Sequence, residues 1–241
     1  MMRVLCASAG FAVLGVMAVV PAIAQSGSAA TGIVGDATRT SRVFALIRAE
    51  AVQKDLVLTE DQKLKLAPLF EQYDMSLVDL SRRPIPEPGN RPGREEQSRE
   101  FAERQRKKDE LVEKTKPGIV AVLTAEQTGR LNQIFLQSEG GNALHESDVR
   151  AKLALTSEQQ KRLLDISKAF GMNAVGSLRE SRKGGSNSMI LLERFVNERD
   201  MEMLSVLTPK QIEQLQSMRG KEFDVKLIDP NLSPLTLPPR H

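Results

Sequence analysis

The chain has 241 residues, of which 40% are hydrophobic but only 4% are aromatic, with one Tyr and no Trp. This profile favours helices packed through aliphatic side chains over a β-sandwich or barrel. The formal net charge is +3, from 34 basic and 31 acidic residues. Because basic and acidic residues are nearly equal in number, the composition argues against binding of nucleic acid, which requires a concentrated cationic surface.

The N-terminus has the layout of an export signal. A short basic start, MMR, precedes the apolar run VLCASAGFAVLGVMAVV and the small residues Ala22 and Ala24. Residues 1–24 are therefore predicted to be a signal peptide cleaved after Ala24, which places the protein in the periplasm or otherwise outside the cytoplasm. The alternative is a retained anchor, but the run is near the lower length limit for a membrane span, and no stable insertion is expected after cleavage. Cys6 is the only cysteine, so the mature chain would contain no disulfide and no thiolate ligand.

The remaining chain divides by composition and periodicity. A disordered leader is predicted for residues 25–41, a first helical unit for 42–138, a linker for 139–147, a second helical unit for 148–225 and a proline-rich tail for 226–241. The Pro- and Gly-rich stretch 84–94 interrupts the first unit. Since no stretch alternates with the period of a half-buried strand, we predict an all-α fold. Helices are predicted from Arg42 onward and over 60–81, 95–115 (or on to Leu123 after a break at Pro117 and Gly118), 125–137, 149–153, 157–182, 187–206 and 209–223.

One short motif, L-T-x-x-Q, occurs four times in this part of the chain. A Thr followed three positions later by Gln is a capping box, in which the Thr hydroxyl and the Gln side chain bond backbone N–H groups at the start of a helix. These residues are therefore expected to start helices through local hydrogen bonds and not to touch a substrate. The motif residues are Leu58, Thr59 and Gln62; Leu123, Thr124 and Gln127; Leu155, Thr156 and Gln159; and Leu207, Thr208 and Gln211.

The four motifs are of two alternating types. VQKDLVLTEDQKLKL and VRAKLALTSEQQKRL share one form, whereas AVLTAEQ and SVLTPKQ share a second, in which a helix runs into the motif. Thr124 lies 65 positions after Thr59, and Thr208 lies 52 positions after Thr156. We interpret this order as a tandem duplication of one helical unit, with the extra residues of the first copy in the 84–94 stretch.

This arrangement resembles the Spy/CpxP family of small periplasmic helical proteins, which is defined by paired LTxxQ motifs. LVLTEDQ with VLTAEQ fits one family unit, and LALTSEQ with VLTPKQ fits a second. The family includes ATP-independent chaperones that form thin curved dimers, inhibitors of envelope-stress sensing, and metal-binding relatives. The resemblance implies a stress-response protein with a helical repeat and coiled-coil packing. Because this chain carries two units, we expect either a single-chain counterpart of the family's dimer or a homodimer.

No arrangement of residues indicates catalysis, a cofactor or a small-molecule substrate, since the sequence contains no nucleophile motif, phosphate-binding loop or clustered His and Cys. Only His145 and His241 could supply imidazole ligands, so no metal site is assigned. The mixed-charge run RPGREEQSREFAERQRKKDE is either a solvated helix face or part of a client-binding surface. Flexible apolar side chains suit promiscuous contacts, although each could equally be core. The candidates are Phe101, Met172, Met189, Phe195 and Met201.

The sequence therefore predicts a client-binding, ATP-independent periplasmic chaperone or envelope-stress protein, whose partners are unfolded or partner proteins. One alternative is a helical module that docks a single specific partner, such as a sensor domain. A metal-responsive sensor is a further alternative.

Overall fold

The computed structural model describes Ile33 and residues 35–82, 93–184 and 188–228, with side chains omitted for 174–192. Within these ranges the chain is helical and contains no strand, which confirms the all-α prediction. No helix in the described ranges is long and apolar enough to cross a membrane. The predicted signal peptide and most of the predicted tail lie outside the described ranges.

The α-helices are α1 Ala37–Arg48, α2 Glu50–Asp55, α3 Glu60–Ser81, α4 Arg94–Val122, α5 Ala125–Ser138, α6 Ser147–Lys152, α7 Ser157–Gly184, α8 Ser188–Ser205 and α9 Pro209–Arg219, with 3-10 segments at Gly140–His145 and Val225–Leu227.

Two antiparallel helix pairs dominate the architecture. In the first helix pair, α3 packs on α4, and in the second helix pair, α7 packs on α8. The start of α3 lies beside the end of α4, because the Gln62 side chain donates to the Val122 carbonyl. The Gln159 side chain makes the same contact to the Val206 carbonyl in the second pair. Each pair is thus joined at the base where its first helix begins and its second helix ends.

Helix α1 packs against α4 and α5 and supplies much of the core. Its apolar residues Val43, Phe44 and Ile47 recur at helical spacing and are completely buried. Phe44 meets Phe70 and Tyr73 of α3 edge-on, with ring centroids 6.2 and 5.4 Å apart. Such aromatic pairs add about 1 kcal/mol beyond the area they bury, so they help to hold α1 on the first helix pair.

The prediction of a disordered leader up to residue 41 is wrong for residues 37–41. Helix α1 begins at Ala37, because the Asp36 side chain accepts a hydrogen bond from the Arg39 backbone N–H at 2.9 Å. Arg39 is buried, and its guanidinium pairs with Asp148 at 2.6 Å and stacks over the Phe135 ring at 4.6 Å. Contacts made more than 90 positions away thus order a stretch whose composition alone is polar.

The residues predicted as a linker, 139–147, form the 3-10 segment and the start of α6. Gly141, Ala143 and Leu144 are buried there, and the segment contacts α5, α7 and α8. Gly140 has a φ of +57°, and a Cβ at this position would clash with the Asp200 carboxylate of α8. The glycines are therefore required for close approach of the backbone to α8, and not for flexibility.

Two helix boundaries also differ from prediction. Helix α4 continues through Pro117 and Gly118 without the predicted break, and a Cβ on Gly118 would lie 3.3 Å from a Leu69 methyl group of α3. Helix α9 ends at Arg219 instead of residue 223, because Gly220 adopts a φ of +63°, a conformation that terminates helices.

Candidate functional site

All four motifs start helices as predicted. In the first, the Thr59 hydroxyl accepts from the Gln62 N–H at 3.2 Å, and the Gln62 carboxamide oxygen accepts from the Thr59 N–H at 3.1 Å. The motifs at Thr124, Thr156 and Thr208 repeat both bonds. The leucine before each threonine is buried. The capping-box prediction is confirmed.

The motif glutamines of the first half also bond each other. Gln62 Nε2 donates to Gln127 Oε1 at 2.7 Å and to the Val122 carbonyl at 2.9 Å. Gln127 Nε2 donates to Gln62 Oε1 at 3.1 Å and to the Leu56 carbonyl at 3.1 Å. The two carboxamides therefore form a reciprocal pair that ties the start of α3 to the start of α5.

The same pairing recurs in the second half. Gln159 Nε2 donates to Gln211 Oε1 at 2.8 Å, and Gln211 Nε2 donates to Gln159 Oε1 at 3.2 Å and to the Leu153 carbonyl at 3.0 Å. The sequence predicted only local bonds for these residues, which is incomplete. The alternation of two motif types was the available signal that they act in pairs.

The residue two positions before each first-type threonine adopts a left-handed conformation. Val57 has a φ of 51° and Ala154 a φ of 48°. Each follows a short helix, and the next N–H reaches back, from Leu58 to the Gln53 carbonyl and from Leu155 to the Arg150 carbonyl, both at 3.0 Å. This is a Schellman ending, in which glycine is the usual residue. A β-branched valine that is 77% exposed gains little packing in return for the strain.

The two halves differ in one contact beside the glutamine pairs. In the first half, Arg130 of α5 holds Asp55 of α2 through four N–O distances between 2.9 and 3.3 Å. In the second half, the Gln214 side chain instead donates to the Lys152 carbonyl at 2.8 Å. An ion pair thus stands where its counterpart is a neutral hydrogen bond.

A buried amide connects the two halves to each other. Gln137 of α5 donates to the Arg219 and Lys221 carbonyls at 2.7 and 2.8 Å, and it accepts from the Phe223 N–H at 2.8 Å. Arg130 adds a bond to the Lys221 carbonyl at 2.6 Å. The chain that follows α9 is therefore fixed against α5.

Charged side chains line a second contact between the halves. Arg42 of α1 pairs with Glu139 and, at 3.2 Å, with Glu146. Burial raises the pKa of Glu139 above its usual value, although Arg42 acts in the opposite direction. Burial likewise raises the pKa of Glu146, against the effect of Arg39. Both carboxyl groups therefore take up protons more readily in the folded protein.

His145 contacts helix α7 through its imidazole ring. Its Nε2 lies 2.8 Å from the Ser167 hydroxyl of α7. Burial lowers the pKa of His145, and Arg150 and Arg199 lower it further. No group of three potential metal-ligating side chains occurs in the described ranges, and His241 lies outside them.

Three of the five predicted client-binding residues are exposed. Phe101, Met172 and Met201 are 59%, 71% and 69% exposed, whereas Phe195 is half-buried. The Met189 side chain lies outside the described residues. Met203, two positions after the exposed Met201, is completely buried in the core.

The sequence missed an apolar surface on α3. Leu64, Met75 and Val78 are exposed there. Met75 and Val78 line an open groove of about 630 Å³, which also includes Phe70 and Arg48. We call this feature the α3 groove. Helical spacing could have identified it, because Met75 and Val78 fall outside the buried stripe of Leu66, Phe70 and Tyr73.

Exposed methionines occupy the same position in both helix pairs. Met75 follows Thr59 by 16 positions, and Met172 follows Thr156 by 16. Met75 is 58% exposed and Met172 is 71% exposed, whereas the leucines seven positions after each threonine, Leu66 and Leu163, are both buried. Core and surface positions therefore correspond between α3 and α7.

Comparisons with protein-family models, with curated proteins and with solved structures give no significant match to this chain. The structure itself shows two features: paired capping motifs brace the two helix pairs, and apolar side chains project from those pairs.

Proposed function

We propose that this protein is an exported, ATP-independent chaperone or envelope-stress protein that binds unfolded polypeptides on its helix pairs. The proposal is supported chiefly by the exposure of methionine at the same position of both pairs, Met75 and Met172. Methionine is flexible and polarizable, so a surface built on it accommodates clients of different shape. The resemblance of the four motifs to Spy/CpxP-type proteins points in the same direction.

The two halves would then act as a single-chain counterpart of a dimer. Each half carries one glutamine pair, and the halves are joined through Gln137 and through the Arg42 ion pairs. One chain would thereby present two equivalent apolar surfaces. Measurement of the solution mass tests this part of the proposal, because an obligate dimer built from exchanged halves would contradict it.

The central experiment is light scattering from several unrelated denaturing clients, with and without the purified chain. We expect the parent protein to suppress aggregation at near-stoichiometric ratios. The double variant Met75→Ser, Met172→Ser is expected to lose most of this effect, because it removes the paired apolar contacts. Gln72→Ser, at an exposed polar position of α3, is the matched control and is expected to behave like the parent.

The outcomes separate the proposal from its alternatives. Failure to protect any client, together with one stably bound partner, would favour a regulator that docks a specific protein. A double variant as protective as the parent would contradict the role of the methionines. A change in melting temperature on addition of zinc, copper or nickel would favour a metal-responsive sensor.

A further inference from the structure

The two equivalent methionines have neighbouring residues of opposite charge. Glu71 lies four residues before Met75, and Lys168 lies four residues before Met172, so each is one helical turn away on the same face. Both charged residues are exposed, and they are the twelfth residue after Thr59 and Thr156 respectively. The two surfaces thus both expose a methionine, but the charge next to it is negative on α3 and positive on α7.

The α3 groove is bordered by carboxylates. Asp74 pairs with Arg48 at 2.9 Å, and Asp79 pairs with Arg82 at 3.4 Å. Glu71 also borders the groove and has no ion pair within the described part of the chain. The Arg48 guanidinium stacks over the Phe70 ring at 4.6 Å, so its charge is already engaged at the groove floor. A cation entering beside Met75 would therefore meet an unmatched carboxylate.

The corresponding face of α7 carries the reverse pattern. Three basic residues, Lys161, Arg162 and Lys168, are exposed along this face, together with two acidic residues, Glu158 and Asp165. Lys168 likewise has no ion pair within the residues that the structure describes. A cationic segment would therefore be repelled at Met172, where it would be attracted at Met75.

We propose that the α3 groove binds segments of unfolded polypeptide that combine apolar side chains with Lys or Arg, and that Glu71 is the residue that selects the cation. This inference rests on the proposed function, since it names the client chemistry of one of its two surfaces. Apolar contact with the exposed Met75 and Val78 supplies the affinity, and Glu71 supplies the selectivity.

The test measures fluorescence anisotropy of two labelled peptides of equal length and equal Leu and Phe content, one with three Lys and the other with three Glu. With the full chain in low salt, we expect the Lys peptide to bind more tightly. One exposed ion pair is worth at most about a fivefold change in affinity, so Glu71→Gln should weaken the Lys peptide about threefold and Glu71→Lys somewhat more. The preference should shrink as salt is raised, because exposed charges are screened.

Matched variants locate the effect. Lys168→Glu should increase binding of the Lys peptide at the second helix pair, and Glu71→Lys combined with Lys168→Glu should restore much of the lost preference. Helical content and melting temperature should be unchanged in all of these variants, because both positions are exposed.

The results distinguish this inference from the proposed function. Equal binding of both peptides, or a preference for Lys that survives Glu71→Lys, would overturn the inference and leave the proposed function standing. Binding of neither peptide, together with failure to protect clients, would overturn both.

Discussion

Removal of one carboxamide from the first glutamine pair tests whether the motifs act beyond their own helices. Gln62→Ala deletes three long-range hydrogen bonds, two to Gln127 and one to the Val122 carbonyl, together with two local bonds from Thr59, of which one is long at 3.5 Å. A hydrogen bond contributes about 1 kcal/mol net, and less where it is partly exposed. We therefore expect a loss of about 3 kcal/mol in the free energy of unfolding.

Thr59→Ala is the matched control, because it removes the local cap and leaves the Gln62–Gln127 pair in place. Loss of such a cap costs about 1 kcal/mol. Both variants can be measured by urea unfolding followed by far-ultraviolet circular dichroism, with the slope of the transition required to stay constant. If Gln62→Ala cost no more than Thr59→Ala, the glutamine would be a local cap only and the reasoning would be refuted.

A double-mutant cycle isolates the pair itself. Gln62→Ala and Gln127→Ala remove the same two reciprocal bonds, so the double variant should be less destabilised than the sum of the single variants by about 1 to 2 kcal/mol. Additive losses would mean that the two amides act independently. A cycle on Gln159 and Gln211 should give a similar coupling, since their distances match those of the first pair.

Two further predictions concern strain and titration. Val57→Gly should raise the free energy of unfolding by about 1 kcal/mol, because relief of a left-handed β-branched residue outweighs the added freedom of glycine in the unfolded chain; Ala154→Gly should gain less, and a lower melting temperature for Val57→Gly would contradict this. His145 has a lowered pKa when folded, so the unfolded chain takes up its proton first and stability is lost as pH falls below about 6.5. His145→Gln should lose less stability than the parent between pH 7 and 5.5 in paired melts; equal losses would show that His145 does not contribute. Glu139 and Glu146, with raised pKa values, act in the opposite direction and are common to both proteins.

The sequence predicted best what depends on neighbouring residues. Helix α3 spans the predicted range 60–81, and α5, α7 and α9 begin at their predicted positions. A capping box is a contact between positions three apart, so it can be recognised without knowledge of the fold.

Features that depend on distant residues were missed. The Gln62–Gln127 pair joins positions 65 apart, and Arg39 is ordered by Asp148, 109 positions away. Composition made residues 37–41 look unstructured, because a polar stretch gives no sign of the partners that will bury it. The surface candidates were uncertain for the same reason: Met203 and Met201 lie two positions apart, yet one is core and the other is exposed.

The glutamine pairs fix the base of each helix pair and leave its length free to differ. Because each helix pair is tied at its base, Ser81 at the far end of α3 lies 19 residues, or about 29 Å, from Gln62. Residues added or removed at that far end would change the reach of the pair without disturbing the base, and a longer connection costs little in closure entropy. Helix lengths already differ between the two pairs, since α3 and α4 have 22 and 29 residues, whereas α7 and α8 have 28 and 18. The length of a helix pair can therefore change while the motif that braces its base stays constant.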